Sequence, residues 1–348
     1  MRVLLGDISS YKAVVVARFL KENYNNIEIH TFDSRGFTKF IRTKYSDKHH
    51  IIKSTDTNKY IELIREYNID HFIPVINENI KFLLKNKELF GDSLKYLGDY
   101  KIFEKLNNKK LLMELAKELE IKIPKTYQDI NQATYPSVAK PTDMSSSKGV
   151  VYIINQEDLE KARQKYKDEE NLIVQEYVDG VGVGYSMYIK DGKIITAYGH
   201  KRLAENPISG GSSVYRETFY DKRMEDIAKK ILDKWRWTGF AMFEFKLTND
   251  NQLYLIEINP RIWGSINQGL ENGVNYFENM LGKTVIQKLT EQKTYLSPLF
   301  YFTLLKYLLA FDLKHTLNFI KNIKYNRADV SISSDPKGFL SLIFRKIL

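Results

Sequence analysis

The sequence contains no cysteine in 348 residues. Without a thiol there is no disulfide, no cysteine nucleophile and no thiolate metal ligand, which agrees with a reducing, cytoplasmic setting. The six histidines are not spaced as H-x-x-x-H, so a histidine metal site is not indicated. No Ser/His/Asp arrangement for nucleophilic catalysis stands out either.

Long apolar runs are also missing. A membrane-spanning helix needs about 18 or more consecutive apolar residues, and the nearest approach, residues 298–311, is interrupted by Lys306. The first 20 residues look like a short signal sequence, but they carry Asp7 in mid-run and lack a small-residue cleavage site. We therefore expect a cytoplasmic protein that begins with a strand, a turn and a helix.

Positive charge is plentiful, with a net charge of +10. Basic proteins often bind nucleic acids, membrane surfaces or phosphorylated ligands. Here the lysines mix with acids along predicted helix faces, and no DNA- or RNA-binding signature is present, so we expect no nucleic-acid partner. No G-x-G-x-x-G motif follows Gly6, which argues against a dinucleotide in the N-terminal region.

Strands and helices alternate along the first 97 residues, which predicts a small parallel sheet covered by helices. A helical stretch then leads into a strand-rich region, and the end of the chain is predicted to be helical and apolar. We expect an α/β protein in three parts. These are residues 1–97, a two-lobed domain over 98–290 (lobes about 100–172 and 173–290), and a helical region over 291–348.

The segment LYLIEINPRIWGS, residues 253–265, begins as a buried strand. It then places Glu257, Asn259 and Arg261 at alternate positions, which point to one face of an extended chain. The preceding segment GFAMFEFKL forms a hairpin with it through the turn LTNDNQL. The pair Asp250-Asn251 favours a two-residue loop there.

In that register Glu244 lies directly opposite Glu257, and a slip of one residue would separate them onto opposite faces. Facing carboxylates in an apolar hairpin repel each other, so Glu257→Gln should keep or raise the melting temperature of the metal-free protein. Two divalent cations held by Glu244, Glu257 and Asn259 would remove the repulsion, and hard Mg²⁺ beside phosphate suits such ligands. The alternative is a buried Glu–Glu–Arg cluster that only holds the hairpin.

Candidate phosphate ligands lie earlier in the chain. Lys109 begins a helix, Lys140 ends the strand YPSVAK, and a hydroxyl-rich loop follows. The loop candidates are Ser145, Ser146, Ser147 and Gly149. Loop N–H groups and hydroxyls can hold phosphate, with lysine as a point charge, although each lysine alone could equally be a surface residue. The loop is not a P-loop, because its motif is absent and a strand follows.

Taken in order, these motifs resemble the ATP-grasp superfamily, which includes biotin carboxylase, D-alanine–D-alanine ligase and the large subunit of carbamoyl phosphate synthetase. The motifs, over about residues 100–282, are Asn108-Lys109, EIKIP, VAKP, SSSKG, VQEYVDG, AMFEF and EINPR. Asn108 replaces the more usual aspartate, and no acidic residue for the ribose is evident near Val183 or Gly184. WGS follows Arg261 where biotin carboxylase has a glutamate, which makes bicarbonate a poor substrate guess.

The resemblance implies a Rossmann-like domain before the ATP-grasp domain, and ATP with Mg²⁺ as cofactors, with two ions expected and Mn²⁺ as an alternative. The expected ATP contacts are Lys109, Lys140, the closing loop Ser145, Ser146, Ser147 and Gly149, and an adenine hinge of Gln175, Glu176, Tyr177 and Val178. The expected metal ligands are Glu244, Glu257 and Asn259. Arg261 is expected to stabilise charge on the transferring phosphoryl group, and candidates for gripping the acyl substrate, if not solvent-exposed loop residues, are His200, Lys201, Arg202 and Arg216.

The leading hypothesis is an ATP-dependent ligase that joins a small-molecule carboxylate to an amine through an acyl phosphate and releases ADP and phosphate. One alternative is a non-catalytic, regulatory ATP-binding protein. Another is a membrane-surface ligase acting on cell-envelope precursors, which rests on LFYFTLLKYLLAF and GFLSLIFRKIL in the tail. Such tail segments are more often core helices or contacts of a homo-oligomer.

Overall fold

The computed structural model describes most of the chain. Outside the description lie residues 35–41, 53–55, 144–148, 168–170, 207–210, 283–289, 298, 310, 312, 314–315, 318–319, 321–325 and 348. The predicted α/β class is confirmed, and the strands of the described part form three sheets.

The first sheet is parallel, as the alternating pattern predicts. Its strands are β1 (Arg2–Leu5), β2 (Glu28–Asp33), β3 (Lys48–Ile51) and β4 (His71–Ile73), in the order β3-β2-β1-β4. The helices that cover it are α1 (Tyr11–Asn23), α2 (Thr57–Glu66) and α3 (Asn77–Lys85), and a 3₁₀ helix follows at Lys87–Leu94. Parallel strands with short loops bring the starts of α1 and α3 together at the carboxyl edge of this sheet.

The second sheet belongs to a smaller lobe. Its strands are β5 (Thr126–Tyr127), β6 (Ser137–Pro141), β7 (Val151–Ile153) and β8 (Leu172–Glu176), in the antiparallel order β5-β8-β6-β7. The helix α6 (Gln156–Lys165) packs on it. The two helices that precede it in the chain, α4 (Tyr100–Asn107) and α5 (Lys109–Glu118), pack in a different hydrophobic core. The helical stretch predicted before the strand-rich region is thus divided into two helices at Asn108. The Asn108 side chain accepts hydrogen bonds from the N–H groups of Lys110 (2.9 Å) and Leu111 (3.2 Å), and so caps α5.

The third sheet has seven strands in the order β13-β12-β9-β10-β11-β14-β15. The strands are β9 (Val181–Lys190), β10 (Lys193–Asn206), β11 (Ser212–Thr218), β12 (Gly239–Leu247), β13 (Leu253–Asn259), β14 (Lys293–Tyr295) and β15 (Asn326–Ala328). The remaining described helices are α7 (Lys222–Lys234), α8 (Ile266–Glu271), α9 (Glu278–Leu281), α10 (Leu299–Leu309) and α11 (Pro336–Ile347). One face of α7 packs its apolar stripe on the central strands, as its period of 3.6 residues predicts.

The turn of the β12–β13 hairpin differs from the prediction. Thr248 N donates to Gln252 O at 3.0 Å and Asn251 N donates to Thr248 O at 3.0 Å, so the loop has three residues instead of two. Asn251 takes the left-handed conformation (φ 61°) that such a loop needs. A β-bulge at Ile256 then shifts the register by one residue, and Glu244 faces Glu257 as predicted.

The tail is helical at α10 and α11, but it also supplies two strands that the sequence pattern did not reveal. β14 pairs with β11 and with β15, so both extend the large sheet. The buried side chain of Arg216 in β11 pairs with Asp329, and its Nε donates to Thr294 Oγ1 at 2.8 Å. These contacts hold the tail on the sheet. Separating them would leave a buried charge without a partner, which costs folding free energy.

Removing one member of the Arg216–Asp329 pair should destabilise the fold. Both side chains have no exposed surface, so Arg216→Met leaves Asp329 buried without its guanidinium. We expect the free energy of unfolding in urea to fall by about 3–5 kcal/mol. The double variant Arg216→Met/Asp329→Leu should recover most of that loss. A single variant as stable as the parent chain would show that the pair does not hold the tail.

Candidate active site

A cavity of about 1050 Å³ lies where the small lobe, the large sheet and the carboxyl edge of the first sheet meet. Eleven of the site residues predicted from the sequence line this cavity: Lys109, Lys140, Gln175, Glu176, Tyr177, Val178, Arg202, Glu244, Glu257, Asn259 and Arg261. A concave site at a junction of lobes, lined by apolar surface and a few convergent charges, is the usual form of a ligand-binding site. The structure therefore brings most of the predicted residues into one space.

The two facing carboxylates are linked by Asn259. Its Nδ2 donates to Glu244 Oε1 at 3.0 Å and to Glu257 Oε1 at 2.9 Å. Its Oδ1 accepts from Arg261 Nη2 at 2.7 Å. Arg261, Asn259 and the carboxylates thus form one hydrogen-bonded cluster. For Asn259 to serve as a metal ligand its amide must turn, because its oxygen here faces the guanidinium.

Each carboxylate also has a cationic partner. Lys109 Nζ lies 3.3 Å from Glu257 Oε2, and Arg202 Nη2 pairs with Glu244 Oε2. Burial raises the pKa of Glu257, but Lys109 and then Lys140 outweigh burial and lower that pKa to about 2. Burial raises the pKa of Glu244, and the charge of Glu257 adds to this rise against the opposing effect of Arg202. The two carboxyl groups therefore differ in pKa, and Glu257 is the one more readily ionised.

Lys140 lies beside Lys109 at the end of β6. The Lys109 N–H donates to Thr142 O at 2.9 Å, which ties the start of α5 to the strand that carries Lys140. Burial lowers the pKa of Lys140 to about 8, an effect that Glu257 opposes and Lys109 reinforces. A pair of buried lysines with one carboxylate between them has excess positive charge, which suits a polyanion such as a phosphate chain.

The expected adenine hinge lines the same cavity. The Glu176 carboxylate accepts from Lys125 N at 2.9 Å, so this side chain is held by the backbone of its own lobe. Gln175 Nε2 donates to Thr126 Oγ1 at 3.1 Å, while its buried Oε1 has no hydrogen-bond partner in the described part of the chain. Gln175, Tyr177 and Val178 all line the cavity.

The four cationic candidates for catalysis divide into two groups. Arg261 and Arg202 lie in the cavity, but Lys201 and Arg216 are not among its lining residues. Lys201 directly precedes Arg202 on β10, so its side chain points to the opposite face of the sheet. There its Nζ lies 3.0 Å from Glu217 Oε1. Arg216 is engaged by the tail through Asp329. The structure therefore does not bring Lys201 and Arg216 to the site.

The hydroxyl-rich loop can be followed only at its end. Ser145, Ser146 and Ser147 fall outside the described residues. Gly149 is described and takes φ 76°, a left-handed conformation that favours glycine. Val150, the next residue, lines the cavity.

A family model described as "ATP-grasp domain" matches residues 106–265, which are the residues that carry both cavity lysines and the carboxylate pair. These residues match an ATP-grasp domain. The matched residues lie within the region, about residues 100–282, over which the sequence motifs resemble the ATP-grasp superfamily.

Two curated proteins to which the chain is similar are ligases. The chain is 27% identical over 154 residues to D-alanine–D-alanine ligase of Fusobacterium nucleatum, covering 42% of this chain and 53% of that one. It is 26% identical over 212 residues to tyramine–L-glutamate ligase of Methanocaldococcus jannaschii, covering 60% and 61%. The matched segments thus span about half to three-fifths of the length of these two relatives.

Solved structures show the same fold at low identity. Biotin carboxylase from Campylobacter jejuni superposes with a TM-score of 0.63 at 14% identity, over 84% of this chain and 74% of that one. L-amino acid ligase from Bacillus licheniformis superposes with a TM-score of 0.61 at 15% identity, over 85% and 79%. Both superpositions extend beyond the residues matched by the family model, so most of the chain shares the fold of these two structures.

Sequence reasoning missed Glu205, which lines the cavity and accepts from Arg202 Nη1 at 3.2 Å. Residues three apart on a strand lie on opposite faces. Irregular pairing of β10 with β11 around Ala204 turns Glu205 to the same side as Arg202. Nothing in the sequence marks that irregularity.

His200 and Ser265 form a second missed contact, with Ser265 Oγ 3.1 Å from His200 Nε2. Gly184, across the sheet from both His200 and Glu244, makes room for the imidazole: a Cβ there would lie 2.4 Å from His200 Cε1. Burial lowers the pKa of His200 well below its usual value, with Arg202 and Arg216 acting in the same direction. The ring is therefore neutral near pH 7.

Residues of the first domain that the sequence analysis did not select also line the cavity. They include Ser10, Tyr11 and Lys12 at the start of α1. Lys12 Nζ donates to Ile262 O at 2.8 Å. Gly264 is required for this approach, because a Cβ there would lie 2.2 Å from Tyr11 Oη. The W-G-S sequence after Arg261 is thus a packing surface for the first domain.

The charges around Glu257 reverse the expected effect of Glu257→Gln on stability. With its folded pKa near 2, below the usual value of about 4.3, the ionised group stabilises the metal-free protein. This contribution is present above about pH 4.3 and is lost as the pH falls toward the folded pKa. We expect Glu257→Gln to lower the free energy of unfolding at pH 7 by on the order of 2–3 kcal/mol.

Denaturant unfolding of both proteins from pH 7 to pH 3 measures this difference, which should shrink by about half at pH 3. Glu244→Gln is the matched control. Because the pKa of Glu244 is raised, its substitution should show no such loss at pH 7. A Glu257→Gln protein that is more stable than the parent at pH 7 would restore the repulsion hypothesis.

Proposed function

We propose that this protein is an ATP-dependent, Mg²⁺-dependent ligase that joins a carboxylate to an amine through an acyl phosphate. The observation that carries the proposal is the convergence of facing carboxylates, Glu244 and Glu257, with Lys109, Lys140 and Arg261 in one cavity. Such a set positions and neutralises phosphates but needs no protein nucleophile. The absence of cysteine from the chain agrees with that chemistry.

The carboxylates and Asn259 would hold Mg²⁺. The donor set consists of hard oxygens, which Mg²⁺ prefers, and phosphate oxygens would complete its coordination. When bound, the metal neutralises charge on the phosphates. Two facing carboxylates that here need Lys109 and Arg202 as partners fit a site where cations are expected.

Lys109 and Lys140 would bind the phosphates. In the ligand-free arrangement Lys109 pairs with Glu257, so an entering phosphate chain takes over the lysine while a cation takes over the carboxylate. The stretch from Gln175 to Val178 would receive the adenine. The buried Gln175 Oε1, which has no partner among the described residues, is an acceptor for an amino group.

In the proposed reaction a substrate carboxylate oxygen attacks the γ-phosphorus of ATP, the bond to the β–γ bridging oxygen breaks, and ADP leaves. The amine nitrogen then attacks the acyl carbon, loses a proton, and phosphate departs with the carboxylate oxygen. Arg261, buried beside Asn259, would stabilise the negative charge of these steps. Arg202, rather than Lys201 or Arg216, would be the second cation near the substrate.

The names of the relatives favour amino acids as substrates. One relative is named for joining D-alanine to D-alanine and the other for joining tyramine to L-glutamate. We therefore propose a small-molecule amino acid or related carboxylate as one partner and an amine as the other. A purely regulatory ATP-binding protein is the weaker reading, because Lys109, Lys140 and the predicted metal ligands are all retained in the cavity.

Glu257→Gln should reduce Mg²⁺-dependent ADP formation by at least about a hundredfold, since it removes a metal ligand and a partner of Lys109. Mg²⁺-ATP binding by calorimetry provides a second measurement. Glu217→Gln is the matched control, because Glu217 lies in the same sheet but pairs with Lys201 and Lys293 outside the cavity. Normal ADP formation by Glu257→Gln would remove this residue from the metal site.

The acyl phosphate can be tested by isotope transfer. The enzyme is incubated with Mg²⁺-ATP, hydroxylamine and a panel of amino acids, dipeptides and hydroxy acids, and a true substrate should yield its hydroxamate and ADP. With carboxyl-¹⁸O-labelled substrate, one labelled oxygen should appear in phosphate because that oxygen attacked phosphorus. AMP in place of ADP, or hydroxamate without labelled phosphate, would overturn the acyl phosphate route.

A further inference from the structure

The tail presents a concentrated apolar surface. Among the residues between 301 and 320 that the structure describes, nine large apolar side chains are 47% to 87% exposed. They are Tyr301, Phe302, Leu305, Leu308, Leu309, Phe311, Leu313, Leu317 and Ile320. An exposed apolar cluster of this kind on a folded protein marks a site of interaction with another protein or with a membrane. The five on α10, Tyr301, Phe302, Leu305, Leu308 and Leu309, are called the α10 face below.

The α10 face belongs to a helix that is fixed to the protein. The opposite side of α10 buries Phe300 and Tyr307 against Val214 and Tyr215 of β11. The exposed positions recur at intervals of one, three and four residues, as on one side of a helix. The helix therefore holds these side chains outward on the rigid edge of the large sheet.

The tail that carries the α10 face has an excess of positive charge, and its described exposed charged side chains are Lys306, Arg327 and Lys337. Residues 299–348 contain eight lysines and arginines, three aspartates and no glutamate. Two of the aspartates are buried: Asp329 pairs with Arg216, and Asp335 bonds to Thr43. The exposed described charges include Lys306, which lies on α10 itself. An anionic surface complements this charge, whereas a second copy of the same face would bring like charges together.

We propose that the α10 face docks this protein on an anionic membrane surface. At about 1.5 Å per residue, the 11 residues of α10 are about 17 Å long, well short of the roughly 30 Å hydrocarbon core. No helix in the described ranges is long and apolar enough to cross a membrane. The helix therefore lies in the interface, with its apolar side chains among acyl chains and its lysine at the headgroups.

The position of α10 relates this surface to the cavity. Leu299, the first residue of α10, and the nearby Leu296 and Ser297 line the cavity wall. A docked α10 would hold that wall beside the bilayer, where a substrate carried on a lipid or bearing an apolar chain can reach it. This last consequence rests on the proposed ligase function, whereas the docking itself does not.

In the other apolar tail segment, GFLSLIFRKIL, the large apolar side chain that the structure describes as exposed is Leu340, at 46%. Leu342 is buried with the core of the first domain, and Phe339 packs against the same core. Ser341 Oγ accepts from Arg42 N at 3.1 Å. The helix α11 thus joins the tail to the first domain, whereas the described side chains of α10 include five large apolar groups that are exposed.

Sedimentation with vesicles tests the proposal on the complete chain. We expect binding to phosphatidylcholine–phosphatidylglycerol vesicles that is at least about tenfold stronger than to phosphatidylcholine alone and that weakens in high salt. Phe302→Ser/Leu309→Ser should abolish this binding. The control Leu89→Ser/Ile154→Ser removes two side chains of similar exposure elsewhere and should bind as the parent does.

A second measurement does not depend on deleting the face. Because the chain lacks cysteine, Leu309→Cys carries a single environment-sensitive fluorophore, whose emission should shift to the blue on anionic vesicles, while Ile154→Cys should show no shift. Absence of vesicle binding by the parent chain, or unchanged binding by the double α10 variant, would overturn the proposal. A parent dimer that Phe302→Ser/Leu309→Ser converts to monomers, without vesicle binding, would assign the face to a second copy instead.

Discussion

The facing carboxylates of Glu244 and Glu257 are the constraint on which the rest of the site depends. Two like charges on neighbouring strands cannot be buried without cations. One cation, Arg202, comes from the same sheet, but the other, Lys109, comes from the start of α5. The electrostatic requirement of one hairpin is therefore met by two separate elements, and both cations line the cavity.

The same cations serve a ligand-free and a ligand-bound state. Lys109 neutralises Glu257 when no phosphate is present, and in the proposed function it is released to phosphate when a metal ion takes its place. Asn259 bridges the carboxylates and is held by Arg261, so its amide orientation reports the same exchange. Each group in this cluster has a partner in the metal-free protein, which explains how so much buried charge is tolerated.

Much of this arrangement was predictable from local patterns. The parallel first sheet and the facing carboxylates follow from periodicity and turn signals. The two cavity lysines were selected by the resemblance of the ordered motifs to the ATP-grasp superfamily. The hairpin was predicted with the correct carboxylate pair but the wrong loop, because a bulge at Ile256 compensates for the extra loop residue. Lys201 and Arg216 were grouped with Arg202 by their place around one loop, although strand alternation and the tail separate them from the cavity.

The sequence by itself determined the chemistry available to this protein: no thiol, paired carboxylates at one hairpin, lysines ahead of them, and basic, apolar residues at the end. Only the tertiary structure decided which charges meet. The Arg202–Glu205 contact needs the irregular pairing near Ala204, and the Arg216–Asp329 pair joins residues far apart in the chain. Alternation and helical period are local rules, whereas bulges and long-range ion pairs depend on packing between distant segments.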